Sequence, residues 1–193
     1  MTLSACVVSQ DAIVPSENYI TQKVKVEAFD GISTSTAIDV VYTQADQTEI
    51  EIYAPDNLMP FVKLVNDGGM LKVFFESDEP GNGINIRGKH HTKVNISAPA
   101  VHTLHTSSSG DIEGGNVVCD VLVTEASSSG DINLIKVECT SLDVESSSSG
   151  DVLIKEFNSS YSASRGALLE AWEGFKMRRK WFVDDMCQPI YEI

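Results

Sequence analysis

Between Pro99 and Pro189 the chain has no proline, and residues 103–162 contain only two Lys or Arg residues, Lys136 and Lys155, and two aromatic ones, Phe157 and Tyr161. Each shortage excludes something. A long run without proline suits strands whose amides are all needed for a hydrogen-bonded ladder. A polysaccharide-cleaving site needs paired carboxylates, or basic groups beside an acid, with aromatic platforms for the sugar, and this stretch cannot supply the set. No nucleophile elbow, phosphate-binding loop or metal-ligand pair at useful spacing occurs, so no enzyme and no cofactor are expected. No apolar run approaches the roughly eighteen residues needed to cross a bilayer. Positive charge is scarce as well: the formal net charge of −14 speaks against nucleic acid and against plain electrostatic adhesion to anionic lipid.

What the chain does have is a phrase repeated three times, Ser107-Ser-Ser-Gly110-Asp111-Ile112, Ser127-Ser-Ser-Gly130-Asp131-Ile132 and Ser147-Ser-Ser-Gly150-Asp151-Val152. The glycines fall at 110, 130 and 150, a period of twenty without a slip. A fixed period of this size marks stacked units, none of which buries its apolar face alone. Positions twenty apart share character: Ile112, Ile132 and Val152; Val117, Val137 and Phe157; Cys119 and Cys139; Leu122 and Leu142; Leu104, Thr124 and Val144. The expected fold is all-β, a single-stranded β-helix or β-solenoid with coils of about twenty residues over 100–163, looser coils before it and a short C-terminal helix. The Ser-Ser-Ser-Gly-Asp segments form its corners, with glycine supplying positive φ and hydroxyls stacked about 4.8 Å apart.

The chain divides into three. Residues 1–22 read as a lipobox-like segment and tether, because Leu3-Ser4-Ala5-Cys6 has the form of a bacterial lipobox and residues 7–22 are polar with no period. Cys6 is then the lipidation candidate, although the charged and apolar regions of a signal peptide do not precede it. Residues 23–163 are the β domain. Residues 164–193 differ abruptly in composition, with both tryptophans and five of the fourteen Lys/Arg. They read as a cap in which Ala167 to Phe182 forms a helix over the open end, as an amphipathic partner-binding segment, or as an aberrant tail of frameshift type.

The candidate sites are few. Asp111, Asp131 and Asp151 stack in one column, where carboxylates about 5 Å apart repel by roughly 0.8 kcal/mol per pair even in water. Calcium would relieve that, but calcium-binding β-rolls use a denser, shorter repeat. The alternative has each aspartate closing its own turn through backbone amides. His90, His91, His102 and His105 lie close in sequence, yet His102 and His105 have opposite strand parity and do not converge as metal ligands. Cys119 and Cys139, one coil apart, read as small buried hydrophobes, with a disulfide between them left open.

Several motifs carry a family resemblance. Phe29-Asp-Gly-Ile-Ser, Ile38-Asp-Val-Val-Tyr, Glu49-Ile-Glu-Ile with Ala54-Pro-Asp-Asn-Leu58, Gly69-Met-Leu-Lys-Val73, Val94-Asn-Ile-Ser-Ala-Pro99 and the recurring Ser-Gly-Asp-Ile resemble the putative auto-transporter adhesin, head GIN domain family over residues 23 to 163. The resemblance implies an all-β helix at the bacterial cell surface, secreted or lipid-anchored in the outer membrane, with no catalytic residues. The partner expected is a surface protein or glycan, with no nucleic acid, membrane contact only through the anchor, and homo-oligomerisation open. The alternative is a structural envelope spacer.

Overall fold

The structure, a computed structural model, describes residues 12–77, 83–159 and 175–177. Among these residues are two facing sheets. One has six strands, β2 (Gly31–Thr34), β5 (Val62–Asp67), β6 (Met70–Phe75), β8 (Thr103–Thr106), β10 (Val121–Ala126) and β12 (Ser141–Ser146). The other has eight: β1 (Tyr19–Val24), β3 (Asp39–Gln44), β4 (Glu49–Pro55), β7 (Lys93–Ala98), β9 (Ile112–Val118), β11 (Ile132–Cys139), β13 (Val152–Ser159) and β14 (Phe175–Met177). Their orders in space are β12-β10-β8-β2-β6-β5 and β1-β4-β7-β3-β9-β11-β13-β14.

Alternation at period two builds the layer between them. In β4, Ile50, Ile52 and Ala54 are buried while Glu49 and Tyr53 are exposed, and β7 buries Val94, Ile96 and Ala98. From the six-stranded sheet come Ile32, Leu71, Val73, Leu104 and Leu122. Burying each such side chain contributes about 1.5–3 kcal/mol. Tyr42 is fully buried among them, and its hydroxyl donates to Pro99 O at 2.7 Å. Burial pushes its pKa up to about 12, so it stays neutral and the hydrogen bond satisfies it. In β11 the alternation slips: Leu134 and Val137 are both buried, whereas Ile135 is 52% exposed and skipped by the pairing register.

The twenty-residue period is the register offset of the parallel pairs. Leu104, Thr124 and Val144 are matched across β8, β10 and β12, and Ile112, Ile132 and Val152 across β9, β11 and β13. Each unit is one strand in the smaller sheet, a corner, and one strand in the larger sheet.

The single-stranded solenoid is nevertheless overturned. In such a coil each turn lies on the one before it in sequence, with parallel neighbours throughout. Here β2 and β3, the first such unit in the chain, lie in the middle, between β6/β7 on one side and β8/β9 on the other. Before residue 100 the chain doubles back: β4 runs antiparallel between β1 and β7, and β5 and β6 form a hairpin. That hairpin turns at Gly68 and Gly69, with φ of 61° and 94°, a conformation open to glycine. The architecture is two mixed sheets. Two smaller corrections concern the ends of the chain. β1 and an isolated Ile13–Ile86 bridge place part of the expected tether inside the fold. Within the expected C-terminal helix, Phe175–Met177 form β14, antiparallel to β13, and the rest of that segment lies outside the described residues.

Why glycine recurs at the corners is also corrected. Positive φ falls on the second serine, Ser108 (78°), Ser128 (63°) and Ser148 (62°), and not on Gly110, Gly130 or Gly150. Glycine is needed because the units touch. A Cβ on Gly130 would sit 2.3 Å from Thr106 Oγ1 and 2.5 Å from Gly110 O, one on Gly150 would sit 2.7 Å from Gly130 O, and one on Gly110 would sit 2.2 Å from Ile38 O. Two substitutions in one corner therefore move stability in opposite directions. Gly130→Ala is expected to cost about 1–3 kcal/mol in denaturant unfolding, whereas Ser128→Gly, which removes a left-handed non-glycine residue, is neutral to stabilising by up to about 1 kcal/mol.

Candidate functional site

All the corners lie along one edge of the sandwich. Among the described residues there are four, since Thr34-Ser-Thr-Ala-Ile-Asp39-Val40 is stacked under the three obvious ones: Thr34 pairs with Thr106, and Val40 with Ile112. It has the same backbone, with Thr36 at φ 76° where the others have Ser108, Ser128 and Ser148. Ala37 and Ile38 replace Ser-Gly there, which hides it in the sequence. The signal that remains is two hydroxyl residues, two spacers, then Asp and a β-branched residue.

The first two corners are locked from inside, and each later corner is bonded to its neighbour. Buried Thr34 Oγ1 donates to Ile38 O at 2.8 Å, and buried Thr106 Oγ1 donates to Gly110 O. Between units, the amides of Ser107, Ser127 and Ser147 donate to Thr34, Thr106 and Ala126 carbonyls at 2.9 Å, and those of Ser129 and Ser149 donate to Ser108 and Ser128 carbonyls at 2.8 Å. With the backbone bonded in this way, the side chains of Ser108, Ser109, Ser128, Ser129, Ser148 and Ser149 are exposed, a double column of hydroxyls.

The aspartates form a ladder of four. Asp111 N donates to Asp39 Oδ1 at 3.2 Å, Asp131 N to Asp111 Oδ1 at 2.9 Å and Asp151 N to Asp131 Oδ1 at 2.9 Å. The expectation that each closes its own turn is corrected: each of these carboxylates caps the amide of the next unit, and the like charges are tolerated because each of these amides carries a partial positive charge. Burial raises the Asp111 carboxyl above its ordinary 3.8, with the amide of Asp131 opposing and Asp39, Asp131 and Glu113 adding to the rise.

Among the described residues no group of three or more His, Cys, Asp or Glu side chains converges as a metal site. His102 Nδ1 lies 3.1 Å from Val121 O and His105 Nδ1 lies 3.1 Å from Ser33 Oγ, on separate partners. Cys119 and Cys139 are free thiols, with Cys139 pushed up to about 11 by burial and then by Cys119. Both stay protonated at neutral pH. Cys6 lies outside the described residues.

Sequence reasoning missed a cavity beside the first corner. Its volume is about 430 Å³. Thr36 and Ala37 line it from the corner, Phe75 from the end of β6, and Ile84, Asn85, Ile86 and His90 from the segment entering β7. That segment is held by Ile13, whose N donates to Asn85 O at 2.8 Å and whose O accepts from Arg87 N at 2.9 Å. His90 packs edge-on to Phe75 at 5.5 Å, with Nδ1 3.0 Å from Thr92 Oγ1. Its pKa is lowered, first by burial and then by His91, with Asp39 opposing, so the ring is neutral at pH 7.

The family described as putative auto-transporter adhesin, head GIN domain matches residues 28–156. The chain belongs to that family. Among solved structures, this GIN-domain chain is similar to a putative adhesin from Bacteroides fragilis, 26% identical with a TM-score of 0.65, over 73% of this chain and 64% of that one. It is also similar to a putative adhesin from Parabacteroides merdae, at 23% identity and TM-score 0.68 over 77% and 61% of the two chains. A protein from Parabacteroides distasonis named a putative lipid binding protein, at 21% and 0.60 over 77% and 62%, shares the fold. The GIN-domain chain spans about three-fifths of the length of these structures. No curated protein matches it.

The raised Asp111 pKa sets a sign. A carboxyl whose folded pKa exceeds its unfolded one opposes folding when ionised, and that opposition is fully present above the folded pKa and vanishes as pH falls to 3.8. Asp111→Asn keeps an oxygen acceptor for Asp131 N and removes the charge. In denaturant unfolding it should be at least as stable as the parent at pH 7, with its advantage shrinking as pH falls from the raised folded pKa toward 3.8.

Proposed function

We propose that this chain is a non-catalytic binding module displayed outside the cytoplasm, which uses its corner edge to contact a glycan or a protein on another surface. The observation that carries the reading is the double column of exposed hydroxyls, held at strand spacing on a backbone whose amides are bonded from unit to unit. A ligand meeting this edge finds donors and acceptors already in place, so little ordering cost opposes binding. Family membership and the adhesin names of the similar structures agree with an extracytoplasmic, adhesion-type role. In this reading Cys6 carries a lipid and the fold that begins near Ile13 is the displayed domain.

The reading is checked by applying the full chain to arrays of glycans and extracellular proteins. It should bind a discrete set, and a variant with Ser109, Ser129 and Ser149 all changed to Lys should lose at least about tenfold in affinity while unfolding within about 0.5 kcal/mol per site of the parent. Binding to nothing on either array, or unchanged binding by the variant, contradicts it.

A further inference from the structure

We infer that the cavity bounded by Thr36, Ala37, Phe75, Ile84, Ile86 and His90 is a binding site for one end of an uncharged carbohydrate, whose following units run along the serine columns. This rests on the reading of the corner edge as the contact surface, and it adds the place where specificity is set. Four observations lead to it.

The size is right: about 430 Å³ lies within the roughly 300–1,000 Å³ of small-molecule sites. The walls are mixed, with Ala37, Phe75, Ile84 and Ile86 offering apolar surface and Thr36, Asn85 and His90 offering a hydroxyl, an amide and an imidazole. A pyranose has the matching combination of C–H face and hydroxyl edge. Thr36 Oγ1 already accepts from Phe75 N at 3.2 Å and has its proton left to donate, so an alkyl chain would meet that hydroxyl, the Asn85 amide and His90 Nε2 with nothing to pair them, at a cost for each that is desolvated. Third, no carboxylate, ammonium or guanidinium is among the described residues lining the cavity, so a charged ligand would lose hydration with no opposite charge among them to replace it; Asp39 acts on His90 without being one of them. His90 adds to this: with Nδ1 beside Thr92 Oγ1, Nε2 is the ring nitrogen left for a ligand, and the ring is uncharged at neutral pH.

The fourth observation is continuity. Thr36 and Ala37 occupy the positions that Ser108 and Ser109 hold in the corner stacked on them, so the cavity opens where the exposed hydroxyl columns begin. A linear sugar seated at one end in the cavity is therefore directed along the edge.

The test is a titration of the isotopically labelled full chain, followed by backbone amide shifts, with lactose, chitobiose and maltose as neutral probes, glucosamine and sialic acid as charged ones and laurate as an acyl probe. At least one neutral disaccharide should produce saturable shifts at Thr36, Ala37, Asn85 and Ile86 with about millimolar affinity, and the charged sugars and laurate should not. Ala37→Trp, which fills the cavity from an exposed position, should abolish the shifts, and Asn85→Ala should weaken binding about fivefold or more; unchanged Val117 and Val137 amides report that each variant is folded. Saturation by laurate alone, shifts confined to other surfaces, or no response to any neutral probe overturns the inference. Array binding that survives Ala37→Trp but is lost in the triple serine variant overturns the cavity site and leaves the corner-edge reading standing. Cavity shifts in a chain that binds nothing on the arrays support the site and overturn that reading.

Discussion

Everything in the stacked half of this molecule depends on how closely one unit's corner backbone can approach the next. At Gly130 the approach is so close that a methyl group would collide with the carbonyl beneath it. Removing the side chain there lets the amides of two corner serines and one aspartate reach the unit below. Those bonds use up the corner's polar backbone, which would otherwise be costly in a packed stack. Glycine here serves contact, and the serine two residues before it accepts the left-handed conformation, at some cost in strain.

That arrangement separates scaffold from surface. Inward positions are apolar or carry hydroxyls that bond to the corner's own carbonyls, while the outward serines bond through their backbone and expose their hydroxyls to a ligand. The aspartates belong to the scaffold. Their carboxylates accept amides along the ladder from Asp39 to Asp151, so the most ion-like feature of the sequence turns out to be a device for stacking. The cavity arises where the regularity ends, under the first corner, where Ile84, Asn85, Ile86 and His90 face Thr36 and Ala37 in place of another serine corner.

Much of this was legible in the residues. The period of twenty is the register of β8 to β13, the turn at Asp67-Gly68-Gly69 is where the chain reverses, and the alternating Glu49-Ile-Glu-Ile is a strand with one buried face. What was not legible has physical causes. Strand order is set by long-range pairing, and nothing local in β2 or β3 says that both sides of each are occupied by later strands, β6 and β7 on one side and β8 and β9 on the other. The fourth corner was masked because Ala37 and Ile38 stand where the others have Ser-Gly: among the described residues no serine corner lies beneath Ile38 to exclude its side chain. The cavity draws its walls from three segments far apart in sequence, and no single stretch carries its signature.

The central claim is that a corner starting at Thr34 underlies the three repeats and is joined to them by the same bonds. Scalar couplings across hydrogen bonds in the labelled full chain test it directly. Couplings are predicted from the amide nitrogens of Val40, Ile112 and Ile132 to the carbonyl carbons of Asp111, Asp131 and Asp151, whose N···O distances are 2.8, 2.8 and 2.9 Å. A chain in which Ile112 and Ile132 show theirs while Val40 couples to any carbonyl other than that of Asp111 would contradict the account.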